Sequence, residues 1–263
     1  SAQSFTAGLG TITINTGGIT GTIAISTTLD GTQNAGTYSL TLTPSLALSG
    51  SPGITFLAGN AKNYVVNPKT VTLSASKTYD GNTSLTNYVT VGTGVGSQTL
   101  TYTGATANNA NVATANKYIS AITLADATDG SGGVASNYQL PALNVANAPV
   151  TINARPITIT ADANQTKVYG AVNPTYTYAA ESAGTNRGLV SGDTFTGALA
   201  RAVGENVGSY AINQGTLANS NYSISFTADN FAITPKAITL TAPSVTKAYD
   251  GLLSYTVTAG NLS

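Results

Sequence analysis

The chain contains no cysteine, methionine, tryptophan or histidine. Without cysteine no disulfide can brace a fold, and zinc or iron–sulfur ligation through thiolate or imidazole is excluded. Without histidine or cysteine there is no Ser-His-Asp triad, no Cys-His pair and no imidazole acid–base chemistry. Charge is scarce as well. Against 10 basic residues stand 10 acidic ones, and 8% charged residues is about a third of what a globular domain carries. Neither an electrostatic footprint for nucleic acid nor a polybasic membrane patch is available. No apolar run approaches the ~20 residues of a membrane span, and no charged-then-apolar signal peptide opens the chain. With no methionine in it, the chain is expected to be processed or a window from something longer.

The hydrophobic fraction is 41%, enough for several small cores, so disorder for want of apolar residues is not expected. The tyrosines are ordered in a repeat. A Tyr-centred phrase occurs three times, as Lys77-Thr-Tyr79-Asp80-Gly81, Lys167-Val-Tyr169-Gly170 and Lys247-Ala-Tyr249-Asp250-Gly251. Its copies lie about 90 and about 80 residues apart, too far for a solenoid and right for a small domain. Between them recur Tyr38, Tyr118 and Tyr210, each near a Gly or Ala two or three residues earlier, and the pairs Asn63-Tyr64, Asn137-Tyr138 and Asn221-Tyr222. Each cycle closes on Pro68-Lys69, Arg155-Pro156 or Pro235-Lys236 and runs into an alternating strand.

These junctions divide the chain into a partial unit 1–69, complete units 70–156 and 157–235, and a second partial unit 236–263. Apolar residues alternate with Thr and Ser, as in Ile157-Thr-Ile159-Thr and Tyr222-Ser-Ile224-Ser-Phe226. That pattern marks strands with one buried and one wet face, and Asp-Gly pairs supply the turns. The only helix candidate is a turn near Gly188–Asp193. The expected fold is all-β: tandem small β-sandwich (Ig-like) or β-grasp-like domains joined through proline into an elongated rod.

The stretch from Lys167-Val-Tyr169-Gly170 through Gly188-Leu-Val-Ser-Gly-Asp193, Gly204-Glu-Asn-Val-Gly-Ser-Tyr210, Asn221-Tyr222 and Ile233-Thr-Pro235 resembles the MBG repeat of bacterial adhesins. Lys77-Thr-Tyr79-Asp80-Gly81, with Tyr118 and Asn137-Tyr138, resembles the related YDG repeat. The resemblance implies long secreted or surface-attached proteins of the filamentous-haemagglutinin-like class, exported by Gram-negative bacteria. It brings no catalytic residues with it.

Each residue pattern that invites chemistry also has a plainer structural reading. The Tyr-Asp-Gly phrase could stack on a sugar, but a strand end packed at a sandwich corner accounts for it, and Tyr169 holds the position without the Asp. Asp126 and Asp129 suggest a calcium loop yet lack a bidentate Glu and the ligand spacing. Lys77, Lys167 and Lys247 occupy equivalent places among many Asn residues, as a Lys-Asn isopeptide link would require. No Asp or Glu is repeated in all the units to shuttle its protons, so these lysines are expected at the surface. No catalytic, cofactor-binding or metal residue is assigned, no cofactor is expected, and the chain is not expected to be an enzyme.

The expected function is the structural stalk of a large exported adhesin, extracellular or at the bacterial surface, giving length and cohesion for adhesion, filament or biofilm formation. The alternative is a glycan-binding surface module. Expected partners are neighbouring repeats, a second copy joined head-to-tail by strand donation, and surface glycans, with no nucleic acid and no membrane insertion. Tyr38 lacks an upstream Tyr partner, so the first unit lacks its opening strand, whereas 236–263 is little more than such a strand.

Overall fold

The computed structural model describes residues 22–26, 34–45, 62–242, 244, 246–254 and 256. Contacts divide the chain into two compact units, Ser1–Ala154 and Arg155–Ser263. Among the described residues there are strands and one 3-10 turn, Ala135–Asn137, but no α-helix. A β-grasp needs a helix for its sheet to wrap, so the observed all-β units are of the sandwich-like kind.

In the first unit β1 (Thr22–Ser26), β2 (Gly36–Ser45) and β3 (Lys62–Val66) form an antiparallel meander. There follow β4 (Lys69–Thr70), β5 (Thr72–Thr78), β6 (Val89–Gly92), β7 (Thr101–Ala107), β8 (Ile119–Ala125), β9 (Tyr138–Gln139) and β10 (Val150–Asn153). β5 lies between β10, which is parallel to it, and antiparallel β6. β4 pairs in parallel with β9, and β7 with β8 across a register shift.

The second unit consists of β11 (Arg155–Ala161), β12 (Gln165–Val168), β13 (Tyr178–Ala180), β14 (Ala200–Arg201), β15 (Gly208–Asn213), β16 (Tyr222–Thr227) and β17 (Asn230–Thr234). One sheet runs β13-β11-β16 and the other β12-β17-β15-β14. The opening strand is thus split. Its first half, β11, pairs in parallel with β16 and its second half, β12, in parallel with β17. The short turn at Asn164, where φ is 62°, carries the chain from one sheet to the other. The stretch Gly188–Asp193, the one helix candidate, is loop that begins at the isolated bridge Ser182–Leu189.

The alternation predicts the burial. Val71, Leu73 and Ala75 are buried along the first opening strand, and Ile157, Ile159 and Ala161 along the second. Thr72, Ser74 and Thr160 face water. In the second unit Ile212, Phe231 and Ile233 close the core from the opposite sheet, with Tyr176 edge-on to Phe231 at 5.3 Å.

The two complete repeats correspond through their strand pairing, with insertions and deletions between the matched positions. Lys77 stands opposite Ile152, and Lys167 opposite Ile233. Lys69 stands opposite Tyr138, and Arg155 opposite Tyr222. Ile119 N–H donates to Ala148 O, and Ile212 N–H to Asp229 O. This last match places Lys117, not Tyr118, at the position of Tyr210, so Tyr118 stands one residue on and meets the opposite face. In the meander Gly36, Thr37 and Tyr38 face Val66, Val65 and Tyr64, as Gly208, Ser209 and Tyr210 face Ile233, Ala232 and Phe231. Tyr64 therefore corresponds to Phe231, and Asn63-Tyr64 to Asn230-Phe231 rather than to Asn221-Tyr222. A dipeptide shared by chance in an Asn- and Tyr-rich chain misled the sequence reading.

Tyr210 is half-buried, its hydroxyl donating to Asn206 O at 2.8 Å, and Tyr38 does the same to Asn34 O at 2.7 Å. Among the described aromatic residues it is Phe231 that is wholly enclosed. Residues 155–235 expressed alone should fold, and in that fragment Phe231→Ala should cost ~3–5 kcal/mol. Tyr210→Ala should cost less, about 1–3 kcal/mol, and Thr160→Ala under ~0.5 kcal/mol. Urea midpoints in that order are the expected result, and equal midpoints would place the core elsewhere.

Candidate functional site

The chemistry-bearing side chains gather at the end of each opening strand, around a lysine. Lys77 is only 3% exposed. Its ammonium donates to Asp80 Oδ1 at 2.6 Å, Asn82 O at 2.8 Å, Asn82 Oδ1 at 3.2 Å and Ser84 O at 2.9 Å. The Tyr88 ring lies 5.9 Å from it. A buried ammonium needs all its donors used and an anion nearby, and the loop supplies both. Asp80 also accepts from Asn82 N–H, and Gly81 turns the chain with φ 82°. Tyr79, 4% exposed, seals the strand end, and its N–H donates to Asn153 O at 2.9 Å.

Lys167 is likewise buried, at 8% exposure. The expectation of surface lysines is overturned at both positions, because each side chain runs inward along the alternating face and finds a carboxylate. In the second unit the Asp is deleted rather than replaced. Gly170, with φ 82°, follows Tyr169 directly and takes the conformation of Gly81. The anion comes instead from Glu205, 38 residues on, whose two oxygens accept from Lys167 and Arg201. An acid does recur, then, but in space and not at one sequence position. Tyr169 makes the same backbone bond, to Thr234 O at 2.8 Å, yet is 49% exposed.

The third copy repeats the first in outline. Lys247 donates to Asp250 and to Ser254 O at 3.0 Å, and Leu252 N–H to Asp250 Oδ1 at 2.9 Å. Gly251 again has positive φ, at 76°. Tyr249, however, is 97% exposed. The loop forms from local bonds alone, while burial of the tyrosine does not.

Other cations also hold loops. Arg155, buried beside the repeated Tyr222, donates to Gly188 O and Gly184 O at 2.7 Å and to Arg187 O at 2.6 Å. Gly188 has φ 77°, and a Cβ there would lie 2.0 Å from Ser182 O, so glycine is required. Tyr222 donates to Asp193 and accepts from Val190 N–H. In the first unit Tyr138 donates to Gln98, and Lys69 to Gly94 O at 2.8 Å. Lys117, at the place of Tyr210, caps Val112 O and Thr114 O. Arg201 caps Ala202 O and Gly204 O and lies 4.9 Å from the Tyr210 ring.

Asp126 and Asp129 are loop caps as well. Asp126 Oδ1 accepts from Ala135 N–H at 2.7 Å, Asp129 Oδ1 from Ser131 N–H at 3.0 Å and Asp129 Oδ2 from the Thr99 hydroxyl at 2.6 Å. The Thr99 hydroxyl, followed by Ser131, holds the Asp129 carboxyl down at about 2. The Arg187 guanidinium, followed by the Thr158 N–H, holds Glu181 at about 2. Lys167 chiefly, with Arg201, lowers Glu205, and Lys247 lowers Asp250. One open groove, about 470 Å³, is lined by Asn173, Tyr176, Leu199, Arg201 and Glu205. Its Tyr176 hydroxyl and Arg201 Nε are sealed from solvent.

These buried cation loops on paired parallel strands define a tandem, all-β repeat of sandwich-like units. Residues 157–232 match the family of the MBG domain (YGX type). No curated protein and no solved structure matches the chain.

Lys77→Met should destabilise the first unit by about 3 kcal/mol, since two loop carbonyls and a carboxylate lose their cation together. Lys247→Met, at an exposed site, should leave the melting curve unchanged. Paired thermal melts check both. The carboxylates predict the acid limb. Their folded pKa values are depressed, so the unfolded chain binds more protons below the ordinary carboxylate range, and stability is lost as pH falls. With no histidine to titrate, the melting temperature should be flat between about pH 7 and 5 and fall between about pH 4.5 and 2. Glu181→Gln should shallow that fall in the second unit.

Proposed function

We propose that the chain is a structural repeat segment of a large exported adhesin, acting outside the cell or on its surface to give length and cohesion. One observation carries the reading. The same opening-strand lysine, loop and closing strand are built twice, and Lys77, Arg155, Lys117 and Arg201 are spent on holding loops. Similarity of residues 157–232 to the MBG domain supports a repeat of this kind, and the absence of histidine and cysteine argues against enzymatic work. The segment's partners would be neighbouring repeats, with cohesion arising from strand pairing.

A glycan-binding reading rests on the groove beside Arg201, where Asn173 and Glu205 offer polar contacts next to exposed Val172 and Val203. A glycan array probed with residues 1–263 separates the two. The stalk reading expects no retained glycan. Retention that is lost on Asn173→Ala would establish the binding module instead. Antibody labelling of intact source cells tests the location, with labelling only after permeabilisation contradicting it.

A further inference from the structure

In each complete repeat the strand that opens the unit and the strand that closes it lie side by side and run the same way. β12 and β17 pair in parallel at four positions, from Gln165 with Phe231 to Val168 with Thr234. Tyr169 N–H adds a bond to Thr234 O at 2.8 Å. Ahead of the Asn164 turn, β11 is parallel to β16 at six positions, from Arg155 with Tyr222 to Thr160 with Thr227. In the other repeat β5 and β10 pair in parallel at four positions, from Ala75 with Val150 to Thr78 with Asn153. The bonds Ala75 N–H to Pro149 O, at 3.0 Å, and Tyr79 N–H to Asn153 O, at 2.9 Å, bracket that ladder.

Parallel order decides how tension along the chain is met. Tension enters the second unit at the N-terminal end of β11 and leaves at the C-terminal end of β17. Two parallel strands drawn from opposite ends must slide past each other, so the evenly spaced hydrogen bonds between them are strained together and none opens before the rest. Strands drawn apart from the same end would part bond by bond. The buried lysine ties the ladder sideways. Lys167 lies opposite Ile233 and is held by Glu205, as Lys77 lies opposite Ile152 and is held by Asp80. A strand that slides must draw its buried ammonium away from that carboxylate, so ladder and ion pair give way together.

We propose that each complete repeat is a shear clamp, with the function of bearing tension along the chain without extending. The inference rests on strand register within each repeat, and on neither the proposed location nor the adhesive role.

Because the chain has no cysteine, force can be applied at chosen residues through introduced thiols. Two full-length forms share one grip, Lys236→Cys, just after β17. The second grip is Ala163→Cys, in the turn before β12, or Ala171→Cys, just beyond β12, and all three positions are exposed. The first pair of grips draws β12 and β17 from opposite ends, the second from the same end. Single-molecule force spectroscopy at one pulling speed should give a rupture force about three-fold higher for Ala163→Cys/Lys236→Cys than for Ala171→Cys/Lys236→Cys, because the bonds are strained together in one and in turn in the other. Equal forces in the two geometries overturn the proposal. So does a wild-type chain, held by its two ends, that extends without a force peak.

Discussion

A buried cation surrounded by loop carbonyls is the interaction on which the rest of this structure depends. The units have no disulfide and no α-helix among the described residues to organise their connections, and their loops are long relative to their strands. A loop that packs against a sheet carries carbonyls that water can no longer reach. Lys77 answers this with one ammonium for two carbonyls and a carboxylate. Arg155 answers it with one guanidinium for three carbonyls. Charge-assisted bonds of this sort are stronger than neutral ones, so a chain with few charges uses them where one side chain can fix a whole loop.

The constraint is on the place of the charge, not on the residue that supplies its partner. Asp80 neutralises Lys77 from three residues away, whereas Glu205 reaches Lys167 across the unit and draws in Arg201 as well. Lys117 and Tyr210 differ in chemistry yet sit at one register position, and each ties its side chain to carbonyls a few residues earlier. Substitutions that preserve a donor at that point preserve the corner. Repeats of the same architecture can therefore drift far apart in sequence while keeping their pairing.

The arrangement also explains why local and long-range order separate at the third Tyr phrase. The Lys247–Asp250 loop forms from bonds within eight residues, while the exposure of Tyr249 and of the alternating Ile238 and Leu240 shows that a strand alone cannot bury its apolar face. In the second unit that face is closed by Ile212, Phe231 and Ile233 of the opposite sheet, and the lysine strands gain their parallel partners β10 and β17 only some 65 to 75 residues later in the chain (Lys77 with Ile152, Lys167 with Ile233). Cohesion is thus a property of strand pairs distant in sequence, which is what makes an unpaired edge consequential.

Period-two alternation, the absence of helix patterning and the proline junctions made the all-β class and the repeat legible, because each depends on neighbours close in sequence. The opening strands from Val71 and Ile157 bury the residues that their alternation designates. The sequence also located the Tyr phrase. It did not reveal that Lys77 and Lys167 are buried, since lysine is usually solvated and the acid of the second unit lies in another strand connection. Nor could it set Tyr118 against Tyr210 correctly, because a one-residue offset leaves the local pattern looking the same while reversing the face, or match Asn63-Tyr64 to Asn230-Phe231, because the same dipeptide recurs nine residues earlier at Asn221-Tyr222. Register is decided by hydrogen bonds between strands far apart in the chain, and only the tertiary structure contains them.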